Sequence, residues 1–82
     1  MNKIAVISAI LEEPNLCQEK FNSIVSEFRG SIRGRMGIPF DEGISVISLT
    51  VTGDINDINS LTGKLGNIKG VTVKTAIAKK EI

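Results

Sequence analysis

Apolar residues recur along this chain with two periods, and the periods alternate. From Lys3 to Leu11 nearly every position is apolar. Ile4, Val6 and Ile10 fall on one side of an extended chain; Ala5, Ile7, Ala9 and Leu11 fall on the other. A strand apolar on both faces predicts a central place in a sheet. Pro14 suits the first turn of a helix, where its missing N–H would have no partner. Cys17, Phe21, Ile24, Val25 and Phe28 then follow at helical spacing as one stripe, and Gly30 is a natural stop. This predicts a helix over residues 14–29.

Ser31-Ile32-Arg33-Gly34-Arg35-Met36 reads as a weaker strand, and Gly34 inside it predicts a bulge or a close approach. Residues 37–43, with Gly37, Pro39, Asp41 and Gly43, read as a loop or hairpin turn. Residues 44–52 are rich in β-branched side chains and predict a strand. Ile47, Leu49 and Val51 share one face of it; Ile44, Val46, Ser48, Thr50 and Thr52 share the other. Asp54 is an expected N-cap, with Asp57 three residues on in a box-like arrangement. Ile55, Ile58, Leu61, Leu65 and Ile68 then predict a second amphipathic helix over 55–67. Gly63 and Gly66 each cost such a helix about 1 kcal/mol against Ala. That cost suits a close backbone approach or a helix that is ending. Residues 71–78 form a last strand, and Lys79 to Ile82 a short tail.

The order is β-α-β-β-α-β. It predicts an α+β fold, the ferredoxin-like sandwich, with a four-stranded antiparallel sheet and two helices on one face. If Ile47, Leu49 and Val51 point to the helices, the open face carries Ala5, Ile7, Ala9, Ile44 and Val46. The first strand also fits the reverse assignment. Either way a partly apolar face stays uncovered, and such a face marks an interface. Homo-oligomerisation, as a dimer or tetramer through the open sheet face or an edge, is the expectation.

Composition narrows the chemistry. The chain has 82 residues, room for a single small domain over residues 1–82. It has no His, Trp or Tyr and one Cys. The missing His removes imidazole bases, His-containing triads and most zinc or nickel sites. One Cys removes an internal disulfide and every CxxC motif. Cys17 itself falls on the helical stripe, where a thiol acts as a small buried hydrophobe. No cofactor and no metal site are expected, and no enzymatic activity. The first apolar run ends in Glu12-Glu13-Pro14 without a small-residue cleavage site, and nothing approaches the ~18 apolar residues of a membrane span. A cytoplasmic location without membrane attachment follows as an expectation.

Formal net charge is +1, so direct nucleic-acid binding is disfavoured. Arg29, Arg33 and Arg35 form the one local bias, read first as a solvated strand edge and second as an anion or partner site. The motif tests are negative. Thr62-Gly63-Lys64-Leu65 lacks the early Gly of a phosphate loop, where Ile58 stands, and its Ser or Thr, where Leu65 stands. Gly63-Lys64-Leu65-Gly66 matches a GXXG clamp, but inside a helix rather than between two. The first, third and fourth strands offer no aromatic platform for RNA bases. An acylphosphatase-like site around Arg33 would need a phosphate loop where Glu12-Glu13-Pro14 stands.

Two stretches together resemble a known family: Arg35-Met36-Gly37-Ile38-Pro39, and Ile58 to Thr75, with its run Leu61-Thr62-Gly63-Lys64-Leu65-Gly66-Asn67-Ile68-Lys69-Gly70-Val71-Thr72-Val73-Lys74-Thr75. They are similar to the iron-only hydrogenase system regulator family. The resemblance covers residues 35–79 closely and the first helix loosely. It implies an ACT-like domain, related in shape to the C-terminal domain of the nickel-responsive repressor, that oligomerises through its sheet. It implies a regulatory role by small-molecule sensing or by partnering a hydrogenase-system protein. The repressor's metal site uses His, which this chain lacks, so that chemistry does not carry over. Amino-acid-binding ACT domains use a Gly in the first strand–helix loop, where Glu12-Glu13-Pro14-Asn15 stands here. Arg35, Gly37, Pro39, Gly63, Lys64 and Gly66 are the candidate ligand- or interface-binding residues. The alternatives are a structural or adaptor oligomer without ligand, and, less favoured, a DNA-binding regulator or an acylphosphatase-like enzyme.

Overall fold

The computed structural model describes residues 2–82. Strand β1 runs Lys3–Leu11, helix α1 Pro14–Ser26, β2 Ser31–Pro39, β3 Ser45–Gly53, α2 Ile55–Gly66 and β4 Val71–Glu81. The sheet order is β2-β3-β1-β4 and every pair is antiparallel. This is the ferredoxin-like sandwich that the order of elements predicts, with both helices on one face.

The register decides which side of β1 is inside. Ala5, Ile7 and Ala9 lie opposite Val51, Leu49 and Ile47, and all six are buried under the helices with Leu11. The reverse assignment of β1 therefore holds, and Ala5, Ile7 and Ala9 are not on the open face. Phe21 and Leu65, both fully buried, share one core with the small Ala5 and Ala9. Cys17 and Val25 of α1 and Ile58, Leu61 and Ile68 in and after α2 complete the core, as their spacing implies. Among the described residues no polar or charged side chain is buried.

Three boundaries differ from the sequence reading. Helix α1 ends at Ser26, three residues early. Glu27 and Phe28 donate to Ile24 and Val25 in a tightened last turn, and the Phe28 ring then folds over Gly30 and Gly53. Strand β2 continues through Gly37 and Ile38 to Pro39, because pairing with β3 carries on to the Phe40 N–H, which donates to the Ile44 carbonyl at 2.8 Å. Only residues 41–43 turn, with Gly43 at φ +82°. The expected tail is strand as far as Glu81, where Lys3 Nζ reaches the Lys79 carbonyl at 2.8 Å. The expected irregularity near Gly34 is present: the β2–β3 register shifts between Ile32 and Gly34.

Helices of 12 and 13 residues span about 18–20 Å, whereas nine-residue strands span about 30 Å. The helices therefore cover only part of the sheet's length, and the molecule measures 39 × 18 × 16 Å. The end of the β2–β3 hairpin lies beyond their reach, and every residue of β2 is exposed.

Candidate functional site

Chemistry is sparse on this surface, and shape carries the argument. Among the described residues no cluster of three or more His, Cys, Asp or Glu is placed to hold a metal ion. Among the described residues no helix is long and apolar enough to cross a membrane. Burial pushes the Cys17 thiol above its ordinary pKa; a backbone hydrogen bond pulls against this, and the Glu13 carboxylate adds a smaller push. Its Sγ donates to the Glu13 carbonyl at 3.4 Å. A thiol held neutral and buried is a poor nucleophile.

The first feature is the open face of the sheet. Alternation and register place Ile4, Val6, Ser8 and Ile10 of β1 there, with Val46, Ser48, Thr50 and Thr52 of β3. Ile38, Val46 and Ile10 form one apolar row across three strands; Met36, Ser48, Ser8 and Lys74 form the next across four. Met36 is 62% exposed and Phe40, beside the first row, 50%. The centre of the face is thus apolar with paired hydroxyls, and Lys74 is the charge on its β4 side.

The second feature is a groove on the opposite face, between β2 and α1. It holds about 270 Å³ and is lined by Leu11, Gln18, Arg35, Gly37, Pro39 and Ile47. Here the helix layer ends and β2 runs on uncovered. Arg35 closes one end: its guanidinium donates to Asn22 Oδ1 at 2.6 Å and lies 5.8 Å from the centroid of the buried Phe21 ring. That contact fixes a long side chain over the core's edge. Gly37 leaves the floor of the groove open.

The third is a larger depression of about 630 Å³ where the β1–α1 loop meets the α2–β4 turn, lined by Glu12, Glu13, Leu16, Lys20, Ile68, Lys69 and Gly70. The Glu12 N–H donates to the Gly70 carbonyl at 3.0 Å, and Gly70, at φ +84°, makes the turn that allows it. Leu16 stands 81% exposed at its rim.

The six sequence candidates divide. Arg35, Gly37 and Pro39 come together at the β2–α1 groove. Gly63 and Gly66 lie exposed on α2, away from that groove, and Lys64 borders a shallow cleft with Asp57 and Glu27. A Cβ at Gly63 or Gly66 would meet nothing within 4 Å, so no close approach inside this chain explains them. Gly66 is the last residue of its helix. The groove residues that sequence reasoning missed are Leu11, Gln18, Ile38, Ser45 and Ile47, with Asn22 beside them as the partner of Arg35. Gln18 and Asn22, one turn apart beside the apolar stripe, were the available signal.

Residues 3–75 match the model of the TM1266-like family, described provisionally as the iron-only hydrogenase system regulator. Among solved structures the chain is similar to the uncharacterized protein TM1266 from Thermotoga maritima, with 30% identity over 96% of this chain and 100% of that one and a TM-score of 0.89. It is also similar to the ACT domain from the GTP pyrophosphokinase of Chlorobium tepidum, with 23% identity over 93% of this chain and 100% of that one and a TM-score of 0.80. The C-terminal domain of the MgtC protein from Mycobacterium tuberculosis shares the fold at 12% identity, over 98% of this chain and 92% of that one, with a TM-score of 0.68. No match is found among curated proteins.

Proposed function

Because the chain belongs to the TM1266-like family of iron-only hydrogenase system regulators, we propose that it is a non-catalytic regulatory module that works as a homo-oligomer and acts by contact with another protein of that system. One observation carries this reading: the uncovered sheet face, where Ile4, Val6, Ile10, Met36 and Ile38 are all exposed. A contiguous apolar face of this kind is what an interface needs. Light scattering after size exclusion, at tens of micromolar protein, tests it. The expected result is a dimer or tetramer, and the variant Val6→Asp with Ile10→Asp reduces the assembly while circular dichroism stays native. A native protein that is monomeric at every concentration overturns the reading.

The depression at Glu12, Leu16, Lys20 and Lys69 favours a second reading, an effector site, since its volume is that of a small-molecule pocket. Thermal shift against a panel of metabolites tests it: an effector raises Tm in the native protein and not in Leu16→Glu. The absence of any shift counts against sensing and leaves the protein-contact reading in place.

A further inference from the structure

Leu16 is the most exposed of the large apolar side chains among the described residues, at 81%. It falls outside the buried stripe of α1, which runs through Cys17, Phe21 and Val25. A second copy seated on the open sheet face leaves it uncovered, because α1 lies on the other face. The core of one copy does not call for a leucine at this position. What Leu16 does is line the depression between the ends of the two helices.

Charge along that depression is ordered. Glu13 caps the start of α1, Leu16 follows three residues on, and Lys20 four after that. Residues three and four apart stack on one face of a helix, so the three form a column of acid, apolar group and base. Seven positions put the acid and the base about 10 Å apart along the axis. That is too far for the direct pairing that residues four apart make. The second wall is the α2–β4 turn, where the buried Ile68 supplies apolar surface. The bond from the Glu12 N–H to the Gly70 carbonyl, at 3.0 Å, ties the two walls together at the acid end.

The helix ends account for part of this. Acids at the start of α1 and Lys69 just past the end of α2 complement the helix dipoles. They do not account for an exposed leucine with a lysine one turn beyond it.

The column selects its occupant. A ligand of one sign meets repulsion at one end. A wholly apolar ligand takes water from the carboxylates and the ammonium and gives no partner in return. A zwitterion with both charges on adjacent carbons reaches one end alone. A molecule whose two charges are held apart by an aliphatic chain meets all three parts of the wall.

We propose that the depression binds a short aliphatic molecule with an ammonium group at one end and a carboxylate at the other. Its chain lies over Leu16 and Ile68, its ammonium group against Glu12 and Glu13, and its carboxylate against Lys20. This rests on the reading of the depression as an effector site, and names the class of effector.

The test uses a pair of isomers. ε-Aminocaproate and leucine contain the same atoms, but only the first holds its charges apart. Caproate and hexylamine each supply one of the charges on a chain of the same length. Each of the four is titrated into the full chain, and the methyl NMR signals of Leu16 and Ile68 are followed. The expected result is that ε-aminocaproate moves both sets of signals and saturates at a several-fold lower concentration than the other three. Lys20→Gln is expected to bring its affinity down to that of hexylamine, and Glu12→Gln with Glu13→Gln down to that of caproate. All three side chains are exposed, so the fold tolerates these changes. Leucine, caproate or hexylamine binding as tightly as ε-aminocaproate overturns the inference and leaves the effector reading in place, since the depression is then still occupied. Methyl signals that none of the four moves overturn it as well. The metabolite panel then decides the effector reading alone: an effector that raises Tm in the native protein and not in Leu16→Glu keeps it, and a panel without one sinks both.

Discussion

Single side chains in this molecule are tested hardest where two backbones nearly touch. At Gly30 a Cβ would collide with the Thr52 carbonyl and come within 2.6 Å of the Phe28 ring. The carbonyl cannot retreat, since it belongs to the backbone of β3. Gly30→Ala is therefore expected to destabilise the fold by about 2 kcal/mol or more in urea unfolding. Gly34→Ala, where nothing lies within 4 Å, is expected to change it by less than about 0.5 kcal/mol. Cys17 gives a pH signature. Its folded pKa is raised, so an unfolded chain surrenders the thiol proton first. The stability this contributes is complete below the unfolded thiol pKa of about 8.5 and is lost as pH rises from there toward the folded value. Cys17→Ala is expected to flatten the stability profile in that alkaline window. Labelling of the native thiol by a disulfide reagent at pH 8 is expected to run about tenfold or more slower than in denaturant. The helical stripe already put Cys17 in the core, because burial follows from period alone. It could not show Gly30 as a contact point, because its neighbour Thr52 is 22 positions away in sequence.

At the scale of elements, periodicity was a reliable guide and strand ends were not. Asp54 caps α2 through its side chain, which accepts from the Asn56 N–H at 2.8 Å. Asp54→Ala should cost about 1 kcal/mol, measured by thermal unfolding. In the same helix Gly63→Ala should stabilise by up to about 1 kcal/mol, since the new methyl meets no neighbour. A loss of stability in the assembled protein, with a gain in the diluted one, would place a partner on that face. The inner and outer sides of β1 were ambiguous because both are apolar, and volume would have been the better guide. Ala5 and Ala9 are the small residues, and helices settle over small residues. The extension of β2 through Gly37 to Pro39 was hidden for a related reason. Gly and Pro usually punctuate a strand, yet an edge tolerates both where the missing N–H faces solvent. The groove beneath it was half legible: Arg35, Gly37 and Pro39 come from one short segment, whereas Leu11, Gln18 and Ile47 arrive from elements that only the register brings alongside.

At the scale of the molecule, charge is sorted by layer. Every charged residue in the strands except Glu81 is a cation: Lys3, Arg33, Arg35, Lys74, Lys79 and Lys80. Most acidic residues lie on the helices and loops. The near-zero net charge therefore hides a polar body with a basic sheet. The consequence for assembly through the open face, where Lys74 stands beside Ser8, is a dependence on salt: face-to-face contacts between two copies are expected to tighten between low and physiological ionic strength, as like charges are screened. Sedimentation across that range checks it, and weakening on adding salt would point to an acidic partner on the sheet instead.

The strand order has a consequence in time as well as in space. β1 is made first and ends in the middle, yet its neighbours are β3, from residue 45, and β4, from residue 71. A central strand with apolar residues on both sides must wait for most of the chain before either edge is occupied. Non-local pairing of this kind slows folding relative to helical bundles, and leaves an adhesive strand open in the interim. The chain's vulnerable moment is thus its own synthesis, and a stall before β4 emerges would leave Ile4 to Leu11 with one edge free to join the wrong chain.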